Sequence, residues 1–394
     1  MANVCLYFHI HQPWRLKQTS VFDIGNGSDL FDVADSLELS NGRVIRKIAD
    51  KSYRPMLSLL KKLLDEEEGF RFALSITGVV IEQMKAYTPD VLDLLKSVVD
   101  SGRVEIVGET YYHSLASLYS PTEFLAQISK HRRLIEDEFR VTPSIFRNTE
   151  FIYTNQIADI IKESGFVGML AEGADKVLRG RSPTVLYKSP CGLPLLLKHY
   201  KLSDDIAFRF SQSHRSSKPL TAETYAHWIS SYSDANDVVN LFMDFETFGE
   251  HQWKDTGIFD FFKYFVHQFM ITGNNFSSLE EAVRSREPKD VYSSEEPVSW
   301  ADVDRGITAW RGNNLQYDAL SKIYDLERCV LTKNNDHLVE IWRKMQTSDH
   351  FYYMCTKWAN DGDVHAYFSP YGDPYMAYCN YNNALADLKL RLIE

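Results

Sequence analysis

The sequence has little cysteine and no paired cysteines: the five present, Cys5, Cys191, Cys329, Cys355 and Cys379, are odd in number and widely spaced. No two lie two residues apart, so neither a disulfide framework nor a zinc ribbon fits, and a reducing compartment does. Positive charge is also short. Forty-three Lys and Arg against 54 Asp and Glu leave a net charge of −11 at pH 7, which repels phosphate backbones and anionic lipid surfaces and excludes nucleic acid as the expected partner. A long apolar run is missing too. The opening MANVCLYFHIHQP has no basic stretch and meets two histidines and a proline before anything could span a bilayer. A cytoplasmic protein with no membrane partner is expected. Internal repeats and low-complexity tracts are absent as well.

What is present is ordinary globular material, 44% hydrophobic and 25% charged over 394 residues, enough for two or three domains or for one large α/β barrel. Aromatics reach 13%, with 22 Tyr and 7 Trp. Aromatic faces stiffen cores and stack on sugar rings alike, so this number alone does not choose between them.

Short β-rich runs alternate with amphipathic ones from the start, the pattern of a parallel sheet covered by crossover helices. Strands are predicted at 4–11, 70–76, 104–107, 144–147, 167–170, 195–199 and 238–244, and helices at 54–64, 89–99, 121–139 and 155–163. Six or seven such units favour an α/β barrel over an open sheet. From Asn314 the pattern changes: Leu315, Ala319, Leu320, Ile323, Leu326 and Val330 recur at helical spacing. The expected division is therefore a catalytic barrel with loop insertions over 1–313 and a C-terminal helical region over 314–394 packed on it. The polar connections 15–40 and 284–297 are candidate active-site loops.

In such barrels the chemistry sits at the C-terminal strand ends. The first strand ends in His9-Ile10-His11-Gln12-Pro13-Trp14, where alternation puts both imidazoles on one side. They could bind a metal or sugar hydroxyls. The third exits through Glu105 into Glu109-Thr-Tyr-Tyr-His113, and the fourth ends in Phe146-Arg147-Asn148-Thr149-Glu150. There Arg147 is expected to hold Glu150 ionised, as a nucleophile requires. The apolar strand through Leu241, Phe242 and Met243 runs into Asp244, Glu246, Glu250 and His251. So many polar groups straight after a buried strand are costly unless they face a polar cavity. The apolar flank of Asp244 is expected to raise its pKa, and the opposite shifts would separate an acid from a nucleophile. Trp300, Asp302, Asp304, Trp310 and Asn313 offer aromatic platforms beside polar groups.

With these segments in view the chain resembles glycoside hydrolase family 57, the α-amylase and 4-α-glucanotransferase-like family. HIHQP, GRVEIVGETYYH, FRNTEF, FMDFETFGEH and SWADVDRGITAWRGN stand in family order across residues 7–313. The resemblance implies a (β/α)7 barrel, an incomplete TIM-type α/β fold, and retaining action on α-1,4-glucans such as starch, glycogen and maltodextrins, with no cofactor and no required metal. It implies Glu150 as nucleophile and Asp244 as general acid/base. His9, His11, either Glu105 or Glu109, and Glu246 would bind the sugar, Trp300 and Trp310 would stack near it, and Trp14, His113, Arg147, His251, Asp302, Asp304 and Asn313 would border it. In the family an acid often follows the arginine of the fifth region, whereas Gly306 follows Arg305 here, leaving Asp302 or Asp304 for that contact. A retaining mechanism needs its carboxyls about 5–5.5 Å apart, which only the fold can arrange for Glu150 and Asp244. Three alternatives compete: a glucanotransferase on the same site, a metal-dependent mannosidase or deacetylase built on His9, His11, Asp244 and His251, and a non-catalytic glucan-binding protein. Oligomeric state is not legible.

Overall fold

The computed structural model describes residues 1–31, 40–211, 220–234, 237–357 and 369–393. Its strands in chain order are β1 (Asn3–Ile10), β2 (Phe72–Ile76), β3 (Val104–Ile106), β4 (Ile145–Arg147), β5 (Gly168–Glu172), β6 (Tyr187–Lys188), β7 (Pro194–Lys198), β8 (Val239–Asp244), β9 (Asn275–Phe276) and β10 (Asp290–Val291). Most of β1, β2, β5, β7 and β8 is buried, which explains why they read as apolar runs without alternation.

One sheet runs β3–β2–β1–β8 with β9 beside the start of β1, and the other runs β10–β6–β7–β5–β4. Two narrow seams join them. At the first, Gly108 N donates to Ile145 O at 2.9 Å and Arg147 N to Gly108 O at 2.8 Å. A glycine is needed there, because a Cβ on Gly108 would stand 2.8 Å from the Phe166 ring. At the second, His199 N donates to Asn240 O and the Asn240 amide to Leu197 O, both at 2.9 Å. Ring order is therefore β1–β2–β3–β4–β5–β7–β8, an incomplete barrel of seven parallel strands, as the family resemblance implies. The helices 54–66, 89–99, 121–139 and 155–163 lie within two residues of expectation.

The helical region comprises Asn314–Asp325, Glu327–Lys333, Asp336–Lys344, Ser348–Tyr352 and Pro374–Ile393. Ala319, Leu320, Ile323 and Val330 are wholly buried, as their spacing requires. They share one apolar cluster with Phe146, Tyr153 and Leu195 of the barrel, so this region is continuous with the barrel core and supplies part of the wall above β4. The described parts of the two connections expected as active-site loops are tied to the C-terminal helix and to the segment after Glu150. The described part of 15–40 is tied to the last helix through Thr19 N to Asn380 Oδ1 (2.6 Å) and Gly25 N to Asp387 Oδ1 (2.8 Å); residues 32–39 lie outside the described residues. The 284–297 connection braces the segment after Glu150, with Ser294 N on Asn155 Oδ1 at 3.0 Å and the Tyr153 hydroxyl on Tyr292 O at 2.9 Å. Among the described residues no helix is long and apolar enough to cross a membrane.

Candidate active site

At the C-terminal end of β1, alternation does bring His9 and His11 to one side: their rings stack at 5.9 Å and 15°. The His113 ring lies against both, 4.9 Å from His9 and 4.1 Å from His11. His113 holds a left-handed φ of 52°, and Glu150 and Phe151 hold 56° and 53°. Each such conformation costs a non-glycine residue roughly 1–2 kcal/mol, and three around one cavity mark it as over-determined by its surroundings. The Asn148 amide, donating to Ile152 O and Ser117 Oγ, fixes the turn that carries Glu150.

The imidazoles join the carboxylates into one line. Asp244 Oδ1 is 3.6 Å from His9 Nδ1, His9 Nε2 is 3.3 Å from Glu109 Oε2, that oxygen is 3.6 Å from His113 Nδ1, and His113 Nε2 is 2.9 Å from Glu150 Oε1. Glu150 Oε2 accepts from the Trp300 indole N–H at 2.6 Å and Oε1 from the Ser348 hydroxyl at 3.4 Å. Trp300 is held in turn by its backbone N–H on Glu150 O. Side-chain exposure grades from 0% at Glu109 and Arg147 through 2% at His113 to 17% at Glu150 and 35% at Asp244. Glu150 and Asp244 thus reach the opening while Glu109 and Arg147 form the floor.

Electrostatics follow from these contacts. Burial pushes the Glu150 carboxyl up, but the His113 bond and charge, with Arg147 and Trp300 behind them, bring it below its ordinary value. The sequence pointed to Arg147 as the partner; in the fold its guanidinium lies over the Phe151 and Trp300 rings and its Nη1 is 3.9 Å from Glu109, so His113 is the direct one. The expectation for Asp244 fails in direction. Its burial is outweighed by His9, His251 and Arg147, and its pKa is lowered; these neighbours decide the direction and the apolar flank does not. Glu246 carries the raised value instead, about 8, through burial and then the Asp244 charge, with bonds from the Tyr53 hydroxyl at 2.5 Å and Gln12 at 3.5 Å.

Several candidates stand elsewhere. Glu105 binds the Leu279 and Glu280 amides at 2.6 and 3.1 Å, capping the start of helix Leu279–Arg284, whose Leu279 and Ala282 pack with Tyr7 and Ala73, so of the two alternatives only Glu109 is at the site. Glu109 is wholly buried, its carboxylate against the His9 and His113 imidazoles. Trp310 is 2% exposed in the helical-region core. Asn313 starts helix Asn314–Asp325 by accepting from Gln316 N, and Asp304 binds Gly306 N and Thr308 Oγ1 within its own turn. Asp302 pairs with Lys357. The Trp14 indole donates to Glu82 at 2.9 Å beneath Lys344. In this structure these side chains pack, cap or pair within their own surroundings. Two groups were missed: Ser348 and Asp349, from the helical region. Asp349 Oδ2 is 3.0 Å from His11 Nε2, and nothing in sequence links positions so far apart.

Two sets of donors converge closely enough to consider a cation, His9–Glu109–His113 and His11–His113–Asp349. In the first, Arg147 Nη1 already lies 3.4–3.9 Å from all three side chains, so a fixed positive charge stands where an ion would go. In the second, His113 is committed to Glu150 and His11 to Thr77 and Asp349.

Residues 5–295 match the family model described as Glycosyl hydrolase family 57. A Methanocaldococcus jannaschii protein named "Putative alpha-amylase" is 40% identical over 404 residues, covering 98% of this chain and 84% of that protein. Among solved structures, a GH57-type branching enzyme from Pyrococcus horikoshii superposes with a TM-score of 0.68 at 15% identity, over 93% of this chain and 87% of that one. A 4-alpha-glucanotransferase from Thermococcus litoralis gives 0.63 at 17% identity over 89% of this chain, which spans 56% of that longer one. At such identities the structural likeness is one of fold, and the fold is the incomplete (β/α)7 barrel.

Proposed function

Since the chain belongs to glycosyl hydrolase family 57 and is an α-amylase-type glycoside hydrolase acting on α-glucans, we propose that it cleaves α-1,4-glucosidic bonds by double displacement, with Glu150 as nucleophile and Asp244 as general acid/base. The observation that carries this reading is the pairing of two accessible carboxylates at opposite ends of one buried His–Glu–His line, with Glu150 held ionised and aimed by three donors.

In the first step the Glu150 carboxylate attacks the anomeric carbon and the bond to the leaving oxygen breaks as that oxygen takes a proton. Asp244 is ionised in the free protein, while neighbouring Glu246 keeps a proton up to about pH 8. The pair therefore holds one proton near neutral pH, and sugar filling the cleft excludes water and favours the proton on Asp244. In the second step Asp244 takes a proton from water, whose oxygen displaces Glu150. The helical region takes part through Ser348 and Asp349, so the proposed division at 313 separates segments and not functions. Incubation with maltoheptaose and sizing of products tests the substrate class: shorter products support hydrolysis, longer ones transfer to a sugar acceptor on the same site, and an intact substrate contradicts the reading.

We assign His11 and Glu246 to hydroxyls of the reacting sugar. Bonds to the sugar that tighten as its ring flattens contribute more in the transition state than before it. His11→Ala and Glu246→Gln are each expected to lower kcat about 100-fold with a smaller change in KM, and Glu246→Gln should also remove an alkaline limb near pH 8. A pure KM effect would move these residues away from the reacting sugar.

Activity is expected to survive exhaustive chelation, because Arg147 supplies the fixed positive charge among the donors. Loss of turnover with EDTA and its return with zinc would favour the metal-dependent alternative.

A further inference from the structure

The line of charges from Asp244 to Glu150 has its centre at the wholly buried Glu109. Its Oε2 is shared by His9 at 3.3 Å, His113 at 3.6 Å and Arg147 at 3.9 Å. Its Oε1 is buried without a hydrogen-bond partner among the described residues. A fully buried carboxylate with one oxygen unbonded is destabilising by itself, and its position between two imidazoles and a guanidinium supplies the compensation.

Resting on the reading of Glu150 as nucleophile, we infer that Glu109 is a positioning residue: from beneath, its carboxylate orients both imidazoles and balances the guanidinium between them, so that His113 directs a charged donor at Glu150.

The charges facing His113 come from every neighbouring element: Glu109 from its own loop, Arg147 and Glu150 from the end of β4, His9 and His11 from β1, and Asp349 from the helical region. Burial alone would discharge His113, yet bonds to Glu109 and Glu150 raise its pKa to about 9. Arg147 cannot lose its proton. If Glu109 becomes neutral, a guanidinium stands 3.4 Å from the His113 ring nitrogen with no anion between, and the imidazole is the group that gives way. Glu150 then loses the cation that holds it ionised for attack and stabilises it again as it departs from the sugar.

The test is the imidazole nitrogen resonance of His113 followed by NMR against pH in the full chain, with kinetics on the same samples. In the natural protein His113 is expected to stay doubly protonated through pH 8. In Glu109→Gln its titration should fall by about 1–3 units, kcat should fall about 100-fold, and KM should stay unchanged because Glu109 is wholly buried. A new alkaline limb of kcat, following the imidazole, should appear at or below the one that Glu246 sets near pH 8. A loss of kcat with His113 unshifted marks a merely structural role and overturns the inference. So does a His113 that titrates near its ordinary value of about 6.5 in the natural protein, a measurement that decides the matter even if Glu109→Gln fails to fold. A shift of His113 as expected, in an enzyme that forms no glycosyl adduct on Glu150, supports the role of Glu109 and overturns the reading of the nucleophile.

Discussion

Replacing Glu150 by alanine should reduce turnover by on the order of 10⁴-fold or more for every substrate, because the atom that attacks the anomeric carbon is gone. The fold should persist. Alanine tolerates the left-handed φ of 56° no worse than glutamate does, and the lost bonds are those to His113, Trp300 and Ser348 at a partly open cavity. The space vacated lies on the face opposite the leaving group, so azide admitted there would attack the α-glucoside directly and yield a β-configured glycosyl azide. No covalent enzyme adduct would form. Turnover restored by azide with the α configuration would contradict the assignment.

Asp244→Ala should behave differently, because it removes proton transfer and leaves the attacking group in place. With a natural glucan the loss is expected at about 10²–10⁴-fold. An aryl α-glucoside with a good leaving group needs little protonation, so its first step should survive while the sugar accumulates on Glu150 for want of a base. Azide needs no deprotonation, and entering beside the truncated Asp244 it should displace Glu150 from the β-linked intermediate to give an α-configured azide. The two variants thus give opposite product configurations from one anion, an outcome that no shared structural defect produces. His9 bears on the same point: it lies 3.6 Å from Asp244 and 3.3 Å from Glu109, so loss of Asp244 leaves His9 its inner partner and the floor of the site unchanged.

The barrel was legible because its strands are buried on both faces and its helices on one, and those two constraints leave different marks in a sequence. Glu150 and Asp244 were legible as acids straight after apolar strands. What local pattern could not supply was partnership. Asp349 meets His11 across the whole chain, and Arg147, adjacent to the Glu150 turn in sequence, turns instead to stack on Phe151 and Trp300. The pKa of Asp244 follows from His9 and His251, not from the phenylalanine and methionine beside it. Glu105 could have been separated from Glu109 in advance by depth: it lies inside β3, in register with Ala73 and Tyr7 and so below the strand ends, whereas Glu109 lies beyond the end of β3, where barrel chemistry sits. Trp310 and Asn313 looked like a sugar platform because aromatic and amide groups serve cores and caps as readily as ligands. The helix Ile258–Ile271 buries Ile258, Phe261, Phe262, Phe265, Val266 and Phe269, a helical stripe that the sequence displays plainly and that the strand-end reading passed over.

The most direct test of the central claim is intact-protein mass spectrometry of Asp244→Ala after incubation with an activated aryl α-glucoside, followed by peptide mapping. The account predicts one added glycosyl group, located on Glu150 within the peptide spanning Phe146 to Phe151 and released by azide. A glycosyl group on any other carboxylate, or none under conditions where the aryl group is released, contradicts it.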